Sequence, residues 1–163
     1  MGFKKDLALG QKGEKLVKIT LEKLGAIVEL PDTTEVDLVC KFGKKKFTAE
    51  IKHDIYAEKS GNLAFEYWNS GSDKPSGITS TKATIWFHLI PDLSLKTIWA
   101  TSVKSLRDYI SKNKPFRSLQ KVGDGNADIH LYKMDKILDD IFHRIDNITP
   151  EQFKTLFNKI IKG

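Results

Sequence analysis

A single cysteine, Cys40, stands in 163 residues, so no internal disulfide can form and a buried structural thiol is expected. The chain has no run of about 18 apolar residues, which excludes a hydrophobic membrane-spanning helix. Its first residues also lack the apolar core of a secretory signal, so the expectation is a cytoplasmic protein with no membrane partner. The histidines are few. His53, His88, His130 and His143 are scattered and keep no zinc-ligand spacing with Cys40. His88 sits in an apolar stretch and reads as a satisfied core histidine. There is no G-x-S-x-G elbow, no phosphate-binding P-loop, and no helix-turn-helix or zinc finger to read bases. No internal repeat or low-complexity segment is visible.

What is present is enough for one domain with a real core. Apolar residues make up 40% of the chain, and its net charge is +6 with a pI near 9.3. That balance suits a polyanionic partner, though ordinary basic proteins share it. Residues 3–24 repeat apolar positions at helical spacing (Leu7, Val17, Leu21, Leu24) and end at Gly25. Glu14 lies mid-helix, and the small Gly13 beside it lets the helix pass close to another backbone. A short strand is expected at 26–30, a loop at 53–62, and a strand at 63–68 that carries Glu66 with Ala64 and Trp68 on one face. A turn rich in hydroxyls follows at 76–84. Strands at 85–90 and 97–101 are joined by a turn at 91–96. Ser102 caps a helix reaching Lys112, residues 114–128 read as a long irregular segment, and 129–134 as a strand. Helices over 135–144 and 150–162 close the chain, with Thr149 as N-cap of the second. This order predicts an α/β domain over 1–163, a central mixed β-sheet flanked by helices.

Residues 36–52 carry the chemistry. Val36, Leu38, Cys40 and Phe42 alternate against Asp37, Val39 and Lys41, and Phe47, Ala49 and Ile51 alternate against Thr48, Glu50 and Lys52. With residues 43–46 as the turn, Phe42 pairs with Phe47, Asp37 lies opposite Lys52, and Asp37, Glu50 and Lys52 share one face. Two carboxylates at diagonal positions, about 7–8 Å apart, can close on one divalent cation. The lysine adds positive charge where a phosphate would come. The plainer reading is a solvated hairpin face with stabilising charge pairs.

Gly13-Glu14 on a first helix, then Asp37, then Glu50-Ile51-Lys52 across a hairpin, resembles the PD-(D/E)xK nuclease superfamily. The likeness covers the first third of the chain, within a metal-site core of about residues 3–90, and Val36 stands where proline is common before the aspartate. The later runs Gly61-Asn62 to Glu66 and Ser76-Gly77-Ile78 to Ala83 resemble small phage-type members. The first-helix Gly-Glu is similar to Holliday-junction resolvases, which carry a longer segment before the Asp. The resemblance implies a restriction-endonuclease-like core in a protein of a prokaryotic or phage-infected cell. It implies Mg²⁺, with Mn²⁺ substituting, held by Asp37, Glu50 and the Ile51 carbonyl with help from Glu14. It also implies that Lys52 orients or activates water. Nearby carboxylates keep Lys52 protonated, which favours an electrostatic role over a general base.

The expected activity is hydrolysis of DNA phosphodiesters by an endonuclease. Cutting both strands of a duplex, or two arms of a branched DNA, is most simply done by a homodimer. Lys44, Lys45, Lys46, Thr79, Thr81 and Lys82 are the expected nucleic-acid contacts; the alternatives are solvated charge for the lysines and helix capping for the threonines. Glu66 is either an auxiliary acid or a structural carboxylate. The aromatic residues Phe65, Tyr67, Trp68, Trp86 and Trp99 sit on expected strands and read as core first. Two rivals remain: a noncatalytic nucleic-acid-binding domain on the same fold, and an interaction protein whose hairpin charges are only a wet face.

Overall fold

The computed structural model describes residues 2–91 and 96–163, with side chains of the first helix described from Gln11 onward. The expected roles of Leu7 and of most of the 91–96 turn therefore fall outside the described residues. Helix α1 (Gly2–Lys23) leads to β1 (Ile27–Glu29), β2 (Leu38–Phe42) and β3 (Lys45–His53). A short α2 (Ala57–Ser60) precedes β4 (Asn62–Asn69), β5 (Lys74–Pro75) and a 3₁₀ turn (Gly77–Thr79). Then come β6 (Ile85–Pro91), β7 (Lys96–Ser102), α3 (Val103–Lys112), β8 (Arg117–Val122), β9 (Ala127–Lys133), α4 (Met134–Ile141), β10 (His143–Arg144) and α5 (Pro150–Lys162). The central sheet has six strands in the order β1-β2-β3-β6-β7-β10. It is mixed, because β3 and β6 run parallel while its other pairs are antiparallel.

Period-two alternation on β6 divides the interior in two. Ile85, Phe87 and Leu89 face a layer with Val17 and Leu21 of α1 and Phe153, Phe157 and Ile160 of α5. Trp86 and Ile90 face the other side, where Leu63 and Phe65 of β4, Leu106 of α3 and Ile137 of α4 pack. The expected central mixed sheet flanked by helices is what the chain forms. Helix α5 begins as its sequence dictates: Thr149 Oγ1 accepts from Gln152 N–H, Gln152 reciprocates to Thr149 N–H, and Pro150 takes the first turn. Such a cap stabilises a helix by about 1 kcal/mol. Among the described residues no helix is long and apolar enough to cross a membrane.

Several expectations need correction. The β2–β3 turn is two residues long, Gly43 (φ +61°) and Lys44, so Lys45 and Lys46 belong to the strand and Phe42 pairs with Lys45. Cys40, not Phe42, lies opposite Phe47. The reason is packing: Phe42 and Phe47 both reach Phe157 of α5, with ring centroids 5.2 and 5.0 Å away. The slip is two residues, an even number, so the faces are unchanged. The 53–62 loop contains α2, and β4 leaves the hairpin for a second, antiparallel sheet, β5-β4-β9-β8. The supposed irregular segment at 114–128 holds β8 and the start of β9. Strand β8 is almost wholly exposed and so carries no apolar alternation to betray it. Its hairpin is pinned by Asp128, which accepts from Ser70 Oγ at 2.6 Å and Lys121 N–H at 3.0 Å. Helix α4 stops at Ile141, because Phe142 and Ile145 bury on the sheet as β10 pairs with β7.

Candidate functional site

The site forms where β3 outruns its neighbour. Pairing with β2 ends at Leu38 opposite Ala49, yet β3 continues to His53. There Asp37 N–H donates to the Ala49 carbonyl at 2.9 Å, and Asp37 Oδ2 accepts from Ile51 N–H at 2.7 Å. The aspartate side chain thus replaces a missing strand partner. The N–H and C=O of one strand residue point to the same side, so the Ile51 carbonyl is aimed toward Asp37 as well. Glu50 and Lys52 alternate with Ala49 and Ile51. They project to the sheet face opposite α1 and α5, in register with Trp86 and His88 of β6.

Glu14 arrives from α1. The helix passes β3 so closely that a Cβ added at Gly13 would sit 3.2 Å from His53 Cβ, the close approach the sequence suggested. Glu14 and Asp37 lie close enough to shift each other's ionisation. Burial, then the Asp37 charge, then the contact with the Asp37 side chain hold the Glu14 carboxyl above its ordinary range. Burial also raises Asp37, partly offset by the Ile51 N–H bond and by the neighbouring Glu14 side chain. Glu50 is pushed up to about 7 by burial and by the Asp37 charge, with Glu14 adding to it, while a hydrogen bond from Thr81 opposes the rise.

Thr81 was expected to face a nucleic acid. It is instead buried, and its hydroxyl donates to Glu50 Oε2 at 3.0 Å. Arg107 of α3 holds that turn by donating to the Ile78 carbonyl at 2.9 Å and the Thr81 carbonyl at 2.8 Å. Gly77 (φ +55°) lies so close to the Glu66 backbone that any Cβ there would collide with it. Thr81→Val is expected to raise the Glu50 pKa further, since it removes the hydrogen bond that favours the anion. Carboxyl-carbon NMR titration reads this directly, and an unmoved Glu50 would contradict the coupling.

Lys52 lines a cleft of about 620 Å³, and Glu66 shares that cleft. Glu50 and Lys82 line a smaller one of about 310 Å³. Asp54, two residues past Lys52, is buried and accepts from Ala64 N–H at 2.9 Å; its other bond is to His88 Nε2 at 2.8 Å. Burial alone would raise Asp54, but the His88 bond, the Ala64 N–H and the Lys52 charge together hold it below the usual carboxylate range. His88 is fully buried and also accepts from Trp86 Nε1, which makes it the satisfied core histidine expected. Cys40 is buried, and its thiol is pushed up to about 12.

Not every expected residue gathers here. Lys44, Lys45 and Lys46 are exposed at the far end of the hairpin, and Lys45 bonds Asn158 at 3.2 Å. Lys45 lies five strand steps from Glu50, a span of about 17 Å. Thr79 is exposed on the 3₁₀ turn. Sequence reading missed Asp54, although period-two alternation continues from Lys52 straight to it. It also missed Arg107, for which the sequence holds no signal.

Among the described residues no three His, Cys, Asp or Glu side chains form a ready metal-holding group. What the strand end offers is two carboxylates beside a backbone carbonyl, all oxygen donors of the kind hard divalent cations take. No family model and no curated protein matches the chain. Among solved structures it is similar to the bacterial homing endonuclease I-Ssp6803I, with a TM-score of 0.52 over 94% of this chain and 90% of that one. At 16% identity, that likeness is one of fold.

Proposed function

We propose that this chain is a divalent-cation-dependent DNA endonuclease of the PD-(D/E)xK type. One observation carries the reading: where pairing of β3 with β2 ends, Asp37 caps the Ile51 N–H beside Glu50, Glu14 of α1 lies near enough to shift both carboxyls, and Lys52 follows Glu50 on the same strand face. Forcing such groups together costs stability without a counter-charge, and positions of this sort are enriched at functional sites. Asp37, Glu50 and the Ile51 carbonyl would hold Mg²⁺ or Mn²⁺, with help from Glu14. Bound there, such a cation polarises a phosphate and supplies a nucleophilic water at neutral pH.

The chain's own groups do the rest. Thr81 fixes one oxygen of Glu50, and Ile51 N–H fixes one oxygen of Asp37, so both carboxylates are held in place. Lys52 places positive charge beside the reacting phosphate, where it offsets charge that grows in the transition state. The Lys52 charge in turn helps hold the buried Asp54 carboxyl below the usual carboxylate range. The net charge of +6 suits DNA, and Lys82 stands beside Glu50.

The deciding experiment incubates the protein with linear, nicked, flapped and four-way DNA, with and without Mg²⁺ or Mn²⁺. Cutting that requires the cation supports the proposal. Salt-dependent binding without cutting transfers the fold to a noncatalytic binding role, and absence of binding removes DNA as the partner. Replacing Lys44, Lys45 and Lys46 together with alanine should reduce the salt slope of DNA affinity by about one unit for each of these lysines that meets a phosphate. An unchanged slope would take the hairpin tip out of the interface. A cut through both strands, or preference for branched DNA, calls for a twofold pair of chains, which sedimentation at working concentration tests.

A further inference from the structure

The 620 Å³ cleft beside Lys52 does not look like a groove for duplex DNA. One wall is apolar, with Ile55, Tyr56, Leu119, Val122, Ile129 and Leu131 converging from the end of β3 and the outer face of the second sheet, while Lys52, Asp54, Asn62 and Glu66 supply polar groups. Tyr56 at its edge is 70% exposed, and Val122 38%. A duplex presents two rails of phosphate, and one lysine beside the carboxylates of Asp54 and Glu66 is poor recognition for them. An unpaired base has apolar π-faces and a polar edge, which is what this trough complements.

A second feature points to a ligand. Asn62 lines the cleft and is only 8% exposed, yet its Oδ1 has no hydrogen-bond partner among the described residues. Its Nδ2 donates to the Ser60 carbonyl at 3.3 Å, which fixes the amide's orientation. Buried acceptors are nearly always paired, and a base N–H would pair this one.

We infer that the cleft takes an unpaired nucleotide next to the phosphate attacked at the carboxylate cluster, so the substrate is DNA with a single-stranded or extruded segment. Lys52 then links the two sites, meeting the backbone of the nucleotide whose base stacks against Tyr56. This rests on the nuclease reading for the reaction, but not for the binding.

The test is therefore done in EDTA, by fluorescence anisotropy, on a single-stranded oligonucleotide and on a duplex of the same sequence. Tyr56→Ala should lower the ratio of single-stranded to duplex affinity by about tenfold, the scale of losing one base–aromatic stack, and Tyr56→Trp should restore it. 2-Aminopurine at the junction of a flapped DNA should change its emission on binding the wild type and not Tyr56→Ala. An unchanged ratio, or equal loss on both DNAs, overturns the cleft assignment. So does a concentration-dependent dimer that Tyr56→Ala dissolves without changing the ratio, which would give the cleft to a second copy. Failure of cation-dependent cutting with the ratio intact would sink the nuclease reading alone.

Discussion

Asp37→Asn is expected to lower cation-dependent DNA cleavage by about a thousandfold or more, the scale on which a preorganised electrostatic group acts. It also weakens divalent binding, because the amide that replaces the carboxylate carries no charge. The fold should survive, since the remaining carbonyl oxygen of Asn can still accept from Ile51 N–H, the 2.7 Å bond that closes the strand end. Lys52→Ala should produce a similar loss of cutting but keep DNA binding, most of which comes from many phosphate contacts. The pair separates cation binding from charge stabilisation: calorimetry with Mg²⁺ should show weakened binding for the first variant and near-normal binding for the second. Unchanged metal affinity together with persistent cutting in Asp37→Asn would remove that residue from the site.

Glu50→Gln should have two opposed effects. It should abolish cleavage, and it should raise the melting temperature of the metal-free protein at pH 8. The folded-state pKa of Glu50 is raised, to about 7 from 4.5. A raised carboxyl binds its proton more tightly folded than unfolded. Stability is therefore greatest below the unfolded value and falls as pH climbs from about 4.5 to about 7. At pH 8 the wild type bears the whole penalty, on the order of 2 kcal/mol once its partial exposure is discounted. Removing the charge should raise the midpoint by about 5 °C at pH 8 and scarcely at all at pH 5. Scanning calorimetry at the two pH values in EDTA checks this. Equal shifts at both would mean that the gain comes from packing and not from ionisation.

The faces of the hairpin were legible and its register was not. Period-two alternation put Asp37, Glu50 and Lys52 on one side whether the turn was two residues or four, since both choices preserve parity. What chose between them was α5, more than 100 residues away, through Phe153 and Phe157 against Phe42 and Phe47. Local patterns cannot carry that information. Capping was legible because it is local: Ser102 accepts from Ser105 N–H and Thr149 from Gln152 N–H, as their positions imply. The second sheet was hidden because β8 lies exposed and polar, and only pairing with β9 makes it a strand. Thr81 stood in a cluster of hydroxyls whose composition suggested phosphate contacts. That one of them would be buried against Glu50 depends on Arg107 and on the close packing at Gly77, neither of which leaves a mark in the sequence.

The Ile51 amide gives the molecule a reporter of its own. Its proton is shared with a carboxylate and not with a neighbouring strand, so its chemical shift should follow the state of Asp37. With nitrogen-15 enrichment, a nitrogen–proton correlation spectrum then reads ionisation, ligand arrival and site distortion from one backbone resonance, without a substrate. Hydrogen exchange at the same position measures how often the strand end opens, and comparison with the Ala49 region, where β2 still pairs, separates motion of the site from motion of the sheet.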